Sequence, residues 1–296
     1  VLNLTAVANG EVKLYAVWTP VEYTVTFEGN KPETEGTVTQ TAESIKVTFD
    51  ASTNLTDTYT ASLTGYTFLG YFDRANEKVF NNEGAVQTGT YVNADKEWIY
   101  ADSVTLYAHW EANTYYVEFN GNNATSGSMN NQEFKYDTAE TLDKNLFERT
   151  GYTFLGWATS AEGEVEYTDE KEVLNLTAEA NGEVELYAVW GVVTYNITYT
   201  LNGGEVSKEN PETYTVEDEA FTLVNPTKAG YTFVGWTGTG LSVNTLEVTV
   251  AKGSTGDRAY TANWAANYYE VAININSGES LTFANAGSSY TLTGDV

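Results

Sequence analysis

The sequence predicts a mostly β protein of the α+β class, built from small modules in series, and three recurring patterns predict it. A central mark is written three times, as GYTFLGYFD from Gly65, GYTFLGWAT from Gly151 and GYTFVGWTG from Gly230. Each copy follows an alternating segment: EYTVTFEGN from Glu22, TYYVEFNGN from Thr114, TYNITYTLNGG from Thr194. Each is followed by a second apolar segment: VTLYAHW ending at Trp110, VELYAVW at Trp190, AYTANW at Trp264. Recurrence in fixed order is the signature of a repeat architecture.

The opening segments come first in each unit. YTVTF alternates Tyr, Val and Phe with Thr, the period of a half-buried strand. Gly and Asn clusters, such as Gly121-Asn122-Asn123 and Gly203-Gly204, then supply turns. In the central mark, Gly151 turns the chain into a strand. Strict alternation places Tyr152, Phe154 and Gly156 on one face and Thr153, Leu155 and Trp157 on the other. Both faces are apolar enough to be covered, and Gly156 suits a bulge or a close backbone approach. DEKEVLNLTAEANGE, from Asp169, reads as a helix or a single helical turn. It gathers Val173, Leu174 and Leu176 on one side and stops at Asn181-Gly182. The third unit has LSVNTLEVTVAKGS in its place, which reads as strand. In the closing strand, Leu186, Ala188 and Trp190 share a face.

These marks divide the chain into residues 21–110, 111–190 and 191–264, three modules of a size that can just hold independent cores. Residues 1–20 read as the back half of a truncated module, because VLNLTAVANGEVKLYAVW at the start nearly repeats VLNLTAEANGEVELYAVW from Val173. The sequence is therefore expected to be a slice of a longer protein. Residues 265–296 open with NYYEVAININSG but carry no GYTF, and read as the start of a further module or a different β domain. The expected structural core marks are Tyr66, Phe68, Tyr152, Phe154, Trp157, Tyr231, Phe233 and Trp236, with the closing Trp18, Trp110, Trp190 and Trp264. The rival reading makes Tyr152 and Trp157 an aromatic platform for sugars. Tyr71, standing where the other copies have Trp, suits packing better than stacking.

Composition narrows the function. The net charge is −27, with 14 basic against 41 acidic residues and a pI near 4.1. Affinity for a phosphate backbone needs clustered Lys and Arg, so nucleic acid and anionic membrane surfaces are not expected partners. No apolar run approaches the ~20 residues of a membrane span, so direct membrane insertion is not expected. Aromatics at 14% indicate a folded chain. Without Cys there is no disulfide, thiolate site or Cys nucleophile. The single His, His109, is not shared by the modules and reads as a strand residue facing water. Glu162, Glu164 and Glu166 alternate as on the solvent face of a strand, and no calcium-loop pattern accompanies them. No catalytic motif is written, and no cofactor or metal is implied.

Opening YTVTF, central GYTFxGW and closing LYAxW together resemble the Listeria–Bacteroides repeat, also called the InlB B-repeat, over residues 21–264 plus the half module at 1–18. The resemblance implies small β-grasp-like modules, each a mixed sheet with a short helix, in an elongated tandem array. It implies an extracellular place on a bacterial cell surface or in a secreted protein. There the array would be an acidic stalk or spacer projecting a functional domain of a larger protein, with no catalytic residues. The partners implied are neighbouring modules of the same chain. Two alternatives stay open. One is an adhesin module binding a host glycan or protein through the variable segment from Lys31 to Thr64. The other is a subunit of a self-assembling filament.

Overall fold

The computed structural model of the 296-residue chain describes residues 4–33, 36–268, 280–285 and 288–293, the last two stretches as backbone only. It divides into two compact units, Val1–Gly191 and Val192–Val296.

In the first unit, module 1 forms a five-stranded sheet from β1 (Glu22–Glu28), β2 (Ser44–Thr48), β3 (Tyr66–Phe72), β4 (Lys78–Phe80) and β5 (Val104–Ala112). Their order across the sheet is β2-β1-β5-β3-β4. The opening and closing strands lie side by side and parallel, Val25 against Val104. The central mark runs antiparallel to the closing strand, Phe68 against Trp110. Module 2 repeats this with β6 (Thr114–Asn120), β7 (Gln132–Lys135), β8 (Tyr152–Ala158) and β9 (Glu183–Val192), ordered β8-β9-β6-β7. Its parallel pair sets Val117 against Val184.

The second unit holds module 3: β10 (Tyr195–Thr200), β11 (Thr213–Tyr214), β12 (Tyr231–Gly238), β13 (Leu241–Thr245) and β14 (Arg258–Ala266). The order is β11-β10-β14-β12-β13, with Ile197 parallel to Arg258. A hairpin of β15 (Ser280–Asn285) and β16 (Ser288–Thr293) follows.

Parallel pairing of strands 1 and last requires a crossover, and the same two clamps set it in every module. The first residue or two after the opening strand include an Asn in the left-handed region: Asn30, Asn122 and Asn202, φ 43°, 44° and 51°. Its side-chain amide donates to a carbonyl of the closing strand, Ala108, Ala188 and Ala262, at 2.9 Å each time. Asn tolerates this backbone better than other non-Gly residues. The closing Trp returns the bond. Trp110, Trp190 and Trp264 donate their indole N–H to Gly29, Gly121 and Leu201 at 2.9–3.0 Å.

Each module has its own core. Val25, Phe27, Tyr71, Phe80, Trp98 and Leu106 lead the first, Tyr115, Phe134, Trp157 and Leu186 the second, and Ile197, Trp236, Val250 and Tyr260 the third. The variable segment of module 1 covers its core with Leu55, Tyr59 and Ala61, all buried.

Four expectations are corrected. No helix occurs among the described residues. The stretch from Asp169 is a turn, the short strand Glu172–Val173 and further turns, with left-handed Glu170, Asn175 and Asn181. Three such residues in twelve preclude a continuous helix, so the short helix implied by the family resemblance is replaced by coil and a two-residue ribbon, Val173 to Glu140. Strict alternation fails in the central mark. The register shifts between Phe68 and Gly70 in module 1 and between Phe233 and Gly235 in module 3. A bulge adds one residue to one strand, so the side chains on either side of it turn to the same face. The Glu162–Glu166 run is a turn and coil with exposed carboxylates, not a strand face. Finally, residues 4–21 form no strand, and Trp18 is 86% exposed. The near-identical sequence of β9 is stranded because β6 and β8 flank it; residues 4–21 have no such pair among the described residues.

Candidate functional site: aromatic marks and a module joint

The bulge decides what the marks do. Phe68, Phe154 and Phe233 each pack edge-on or tilted against the closing Trp, at centroid distances of 5.5, 5.6 and 5.5 Å to Trp110, Trp190 and Trp264. Each also meets the aromatic three residues on, Tyr71, Trp157 or Trp236, at 5.1, 5.0 and 5.5 Å. The same triad is built three times. Tilted and edge-on contacts at this range are the favoured aromatic geometry. Trp157 and Trp236 are fully enclosed, and Tyr71 is buried. A sugar cannot stack on an enclosed ring, so the platform reading loses Trp157, and Tyr71 is packed as its place in the mark suggests.

The second residue of the mark sits elsewhere. Tyr152 is half-buried under the Arg149 guanidinium, 3.8 Å above its ring, and Tyr231 lies under Lys228 at 4.3 Å. Leu63 holds the corresponding place in module 1. Open hollows of about 380 and 440 Å³ lie beside these rings, floored by Phe154 and Trp190 and by Phe233 and Trp264. A wider groove, about 670 Å³, is also open; it runs along β10 past Tyr199, Asn210 and Glu212.

Tyr66, the third copy, takes part in a joint. Its ring meets Tyr136 of module 2 edge-on at 5.8 Å, and its hydroxyl donates to Asp137 Oδ2 at 2.8 Å. Asn175 holds that Asp137 in turn, through Nδ2 to Oδ1 at 2.7 Å. At the centre is Asn113, the one residue between β5 and β6. It is 9% exposed, the buried polar residue among those described. Its backbone N–H donates to Gly65 O at 2.8 Å and its carbonyl accepts from Tyr136 N at 2.9 Å. Its side-chain Oδ1 accepts from Thr67 Oγ1 at 2.7 Å, and Nδ2 donates to Ala178 O at 2.8 Å. Two bonds reach module 1 and two reach module 2. A buried amide with its groups satisfied fixes geometry, because breaking any bond strands a desolvated partner.

The marks that divide the chain into modules do not single out Asn113, which falls at the start of the second. One signal was available: Asn recurs at 267, again three residues after the closing Trp. Asn267 N donates to Gly230 O at 2.9 Å, and its Oδ1 accepts from Thr232 at 2.6 Å. At the corresponding place after Trp190 stands Val193, whose side chain cannot make these bonds.

Groups able to do chemistry are scattered. His109 is half-buried and stacked on Phe72 at 4.1 Å, which replaces the water-facing expectation with a packed one. Glu166 is held below the usual carboxylate range by the Thr159 hydroxyl and amide, and Glu185 by Tyr187 and Asn120. Both stand on the surface and serve local structure. Among the described residues no three of His, Cys, Asp and Glu gather as metal ligands, and no helix is long and apolar enough to cross a membrane.

Comparison with known proteins agrees with the repeat. A protein of Evansella cellulosilytica with the provisional name Gly-rich membrane protein is 28% identical over 287 residues, covering 95% of this chain and 30% of its own length. A second protein of that organism, provisionally a membrane protein, is 30% identical over 195 residues, 64% of this chain and 27% of its own. The chain thus spans under a third of the relatives it matches. The model of the Listeria-Bacteroides repeat domain matches residues 115–189 and 195–259. The two matches take in the opening strands and central marks of modules 2 and 3 and end short of Trp190 and Trp264, so over these residues the chain is similar to two tandem copies of the Listeria-Bacteroides repeat domain.

Proposed function

We propose that this chain is a spacer segment of a larger bacterial surface or secreted protein, holding a functional domain away from the cell. One observation carries the reading: two self-cored modules are separated by one residue, Asn113, that is bonded to both, and they touch again where Tyr66 meets Tyr136 and Asp137. A flexible linker would allow independent swinging; a joint of five hydrogen bonds and an edge-on ring pair transmits position from one module to the next. The names of the relatives, both membrane proteins, support an envelope location, and so does the family's occurrence in surface proteins. The modules are a helix-less variant of the β-grasp arrangement, supported by the order second-first-last-central with a parallel middle pair. The enclosed triads support a structural rather than catalytic use of the marks.

The test is length. In the parent protein, modules are deleted or duplicated in whole units and the accessibility of its terminal domain to a large probe is measured on cells. Accessibility rising with module number is expected. If the array itself binds host glycan or protein, and adhesion is indifferent to module number, the spacer reading fails and the adhesin reading replaces it.

A further inference from the structure

We propose that residues 1–18 are an exchangeable closing segment, able to take the place of residues 173–190 between β6 and β8 of module 2 in a second copy of this chain. The exchange is independent of the spacer reading, and neither test decides the other.

Residues 1–18 differ from residues 173–190 at two positions only, Val7 for Glu179 and Lys13 for Glu185. The groups by which residues 173–190 complete module 2 are therefore kept. Asn181 N donates to Thr114 O at 2.7 Å, and Gly182 O accepts from Tyr116 N at 2.9 Å. Leu186 and Ala188 are enclosed, and the Trp190 indole donates to Gly121 O at 3.0 Å. Asn9, Gly10, Leu14, Ala16 and Trp18 stand in the same order and spacing.

The turn that leads into the strand is already made in the first segment. Gly10 N donates to Val7 O at 3.0 Å, as Gly182 N does to Glu179 O at 3.1 Å. Val7 N donates to Thr5 Oγ1 at 3.1 Å, as Glu179 N does to Thr177 Oγ1 at 3.3 Å. Asn9 and Asn181 share the left-handed backbone, φ 61° and 56°. The turn thus follows from local sequence, outside any described strand, and a segment already turned loses less freedom on docking.

Charge favours the exchange at one position. The register of module 2 sets Glu185 beside Glu118, and Lys13 would set a cation there instead. Opposite charges on neighbouring strands stabilise, and like charges oppose. Lys13 forgoes the 2.7 Å bond that Glu185 accepts from Asn120, while Val7 takes the exposed place of Glu179. The resident segment keeps the advantage of its tether, an effective concentration on the order of millimolar. Exchange therefore belongs to folding at high protein concentration. The net charge of −27 holds copies apart, so salt promotes it.

The full chain has no Cys, so introduced thiols report cleanly. The chain carrying Lys13→Cys and Glu118→Cys, both at exposed positions, is refolded from urea at low and high protein concentration and then oxidised. Linked peptides are identified by mass spectrometry. A link between chains from 13 to 118 is expected, rising with protein concentration and with salt. It should exceed several-fold the link from Lys13→Cys to Glu133→Cys, an exposed position on β7, on the far side of β6 from β9. Leu14→Asp, at the counterpart of enclosed Leu186, should reduce it to that control level. A link from 13 to 118 no commoner than the control, or indifferent to Leu14→Asp, would overturn the exchange. A specific link confined to single chains would overturn the second copy as partner.

Discussion

Trp157 and Trp236 hold the same place in successive modules, but only one has a partner for its indole N–H. Trp236 donates to Asn225 Oδ1 at 2.9 Å. Trp157 Nε1 is buried without a hydrogen-bond partner among the described residues. The residue matching Asn225, five before the mark's first glycine, is Leu146, and it is exposed. A stranded buried donor costs roughly 1–3 kcal/mol. Leu146→Asn is therefore expected to stabilise module 2 by about 1 kcal/mol, and Asn225→Leu to destabilise module 3 by roughly 1–3 kcal/mol, both read from urea midpoints. Unchanged midpoints in both would show that these indoles do not feel residue 146 or 225. At Gly70, φ is 122° and a methyl group would sit 2.3 Å from Phe80 O, in the backbone of the neighbouring strand. Gly70→Ala should cost at least the roughly 1–3 kcal/mol of a strained backbone.

At the level of elements, the closing strand shows how little a strand owes to its own sequence. LYAVW is enclosed at Leu186 and Ala188 but open at Leu14 and Tyr15. A lone strand leaves its ladder groups unpaired and one face uncovered, and isolated pairs are marginal at best. Within module 2, Leu186→Ala should cost about 2–5 kcal/mol. Hydrogen exchange should show β6 to β9 losing protection together while module 3 keeps its own. Loss across modules 2 and 3 alike would mean that the cores are not separate. At the joint, Asn113→Ala strands Thr67 Oγ1 and Ala178 O. It should split the melting of modules 1 and 2 into two less coupled transitions, visible by calorimetry.

For the whole molecule, charge and tyrosine set the response to solvent. Burial holds Tyr59, Tyr71, Tyr91 and Tyr115 above the ordinary phenol value and pushes Tyr199 up to about 12. An unfolded tyrosine ionises near 10, so this stabilisation is complete below about pH 10 and is lost as pH rises through the folded values. Alkaline unfolding should coincide with a late, cooperative rise in tyrosinate absorbance. A rise centred near pH 10, ahead of unfolding, would mean these rings are open to solvent. The carboxylates of Glu166 and Glu185 act oppositely, their contribution present near neutral pH and fading in acid. At −27 overall, with one described ion pair, Lys252 to Glu219 at 2.6 Å and exposed, attraction between charges contributes little.

The sequence by itself determined that the chain is repeated, that it is mostly β, and which aromatics are shared. These follow from composition and period, and repetition makes each visible three times. It also placed many of the turns, because a left-handed backbone favours Gly and Asn. What only tertiary structure decided is which face each aromatic takes. A bulge at Gly70 and Gly235 turns Tyr71 and Trp236 inward beside Phe68 and Phe233, and a period-two reading cannot see an inserted residue. It decided the absence of the helix from Asp169, since left-handed positions, not side-chain periodicity, break it. It decided that Trp18 stays open while Trp190 is packed, because a strand is completed by neighbours that lie elsewhere in the chain. And it made the boundary between modules 1 and 2 a joint: Asn113 acquires its role from four partners, Gly65 and Thr67 of one module and Tyr136 and Ala178 of the next, that folding brings to it.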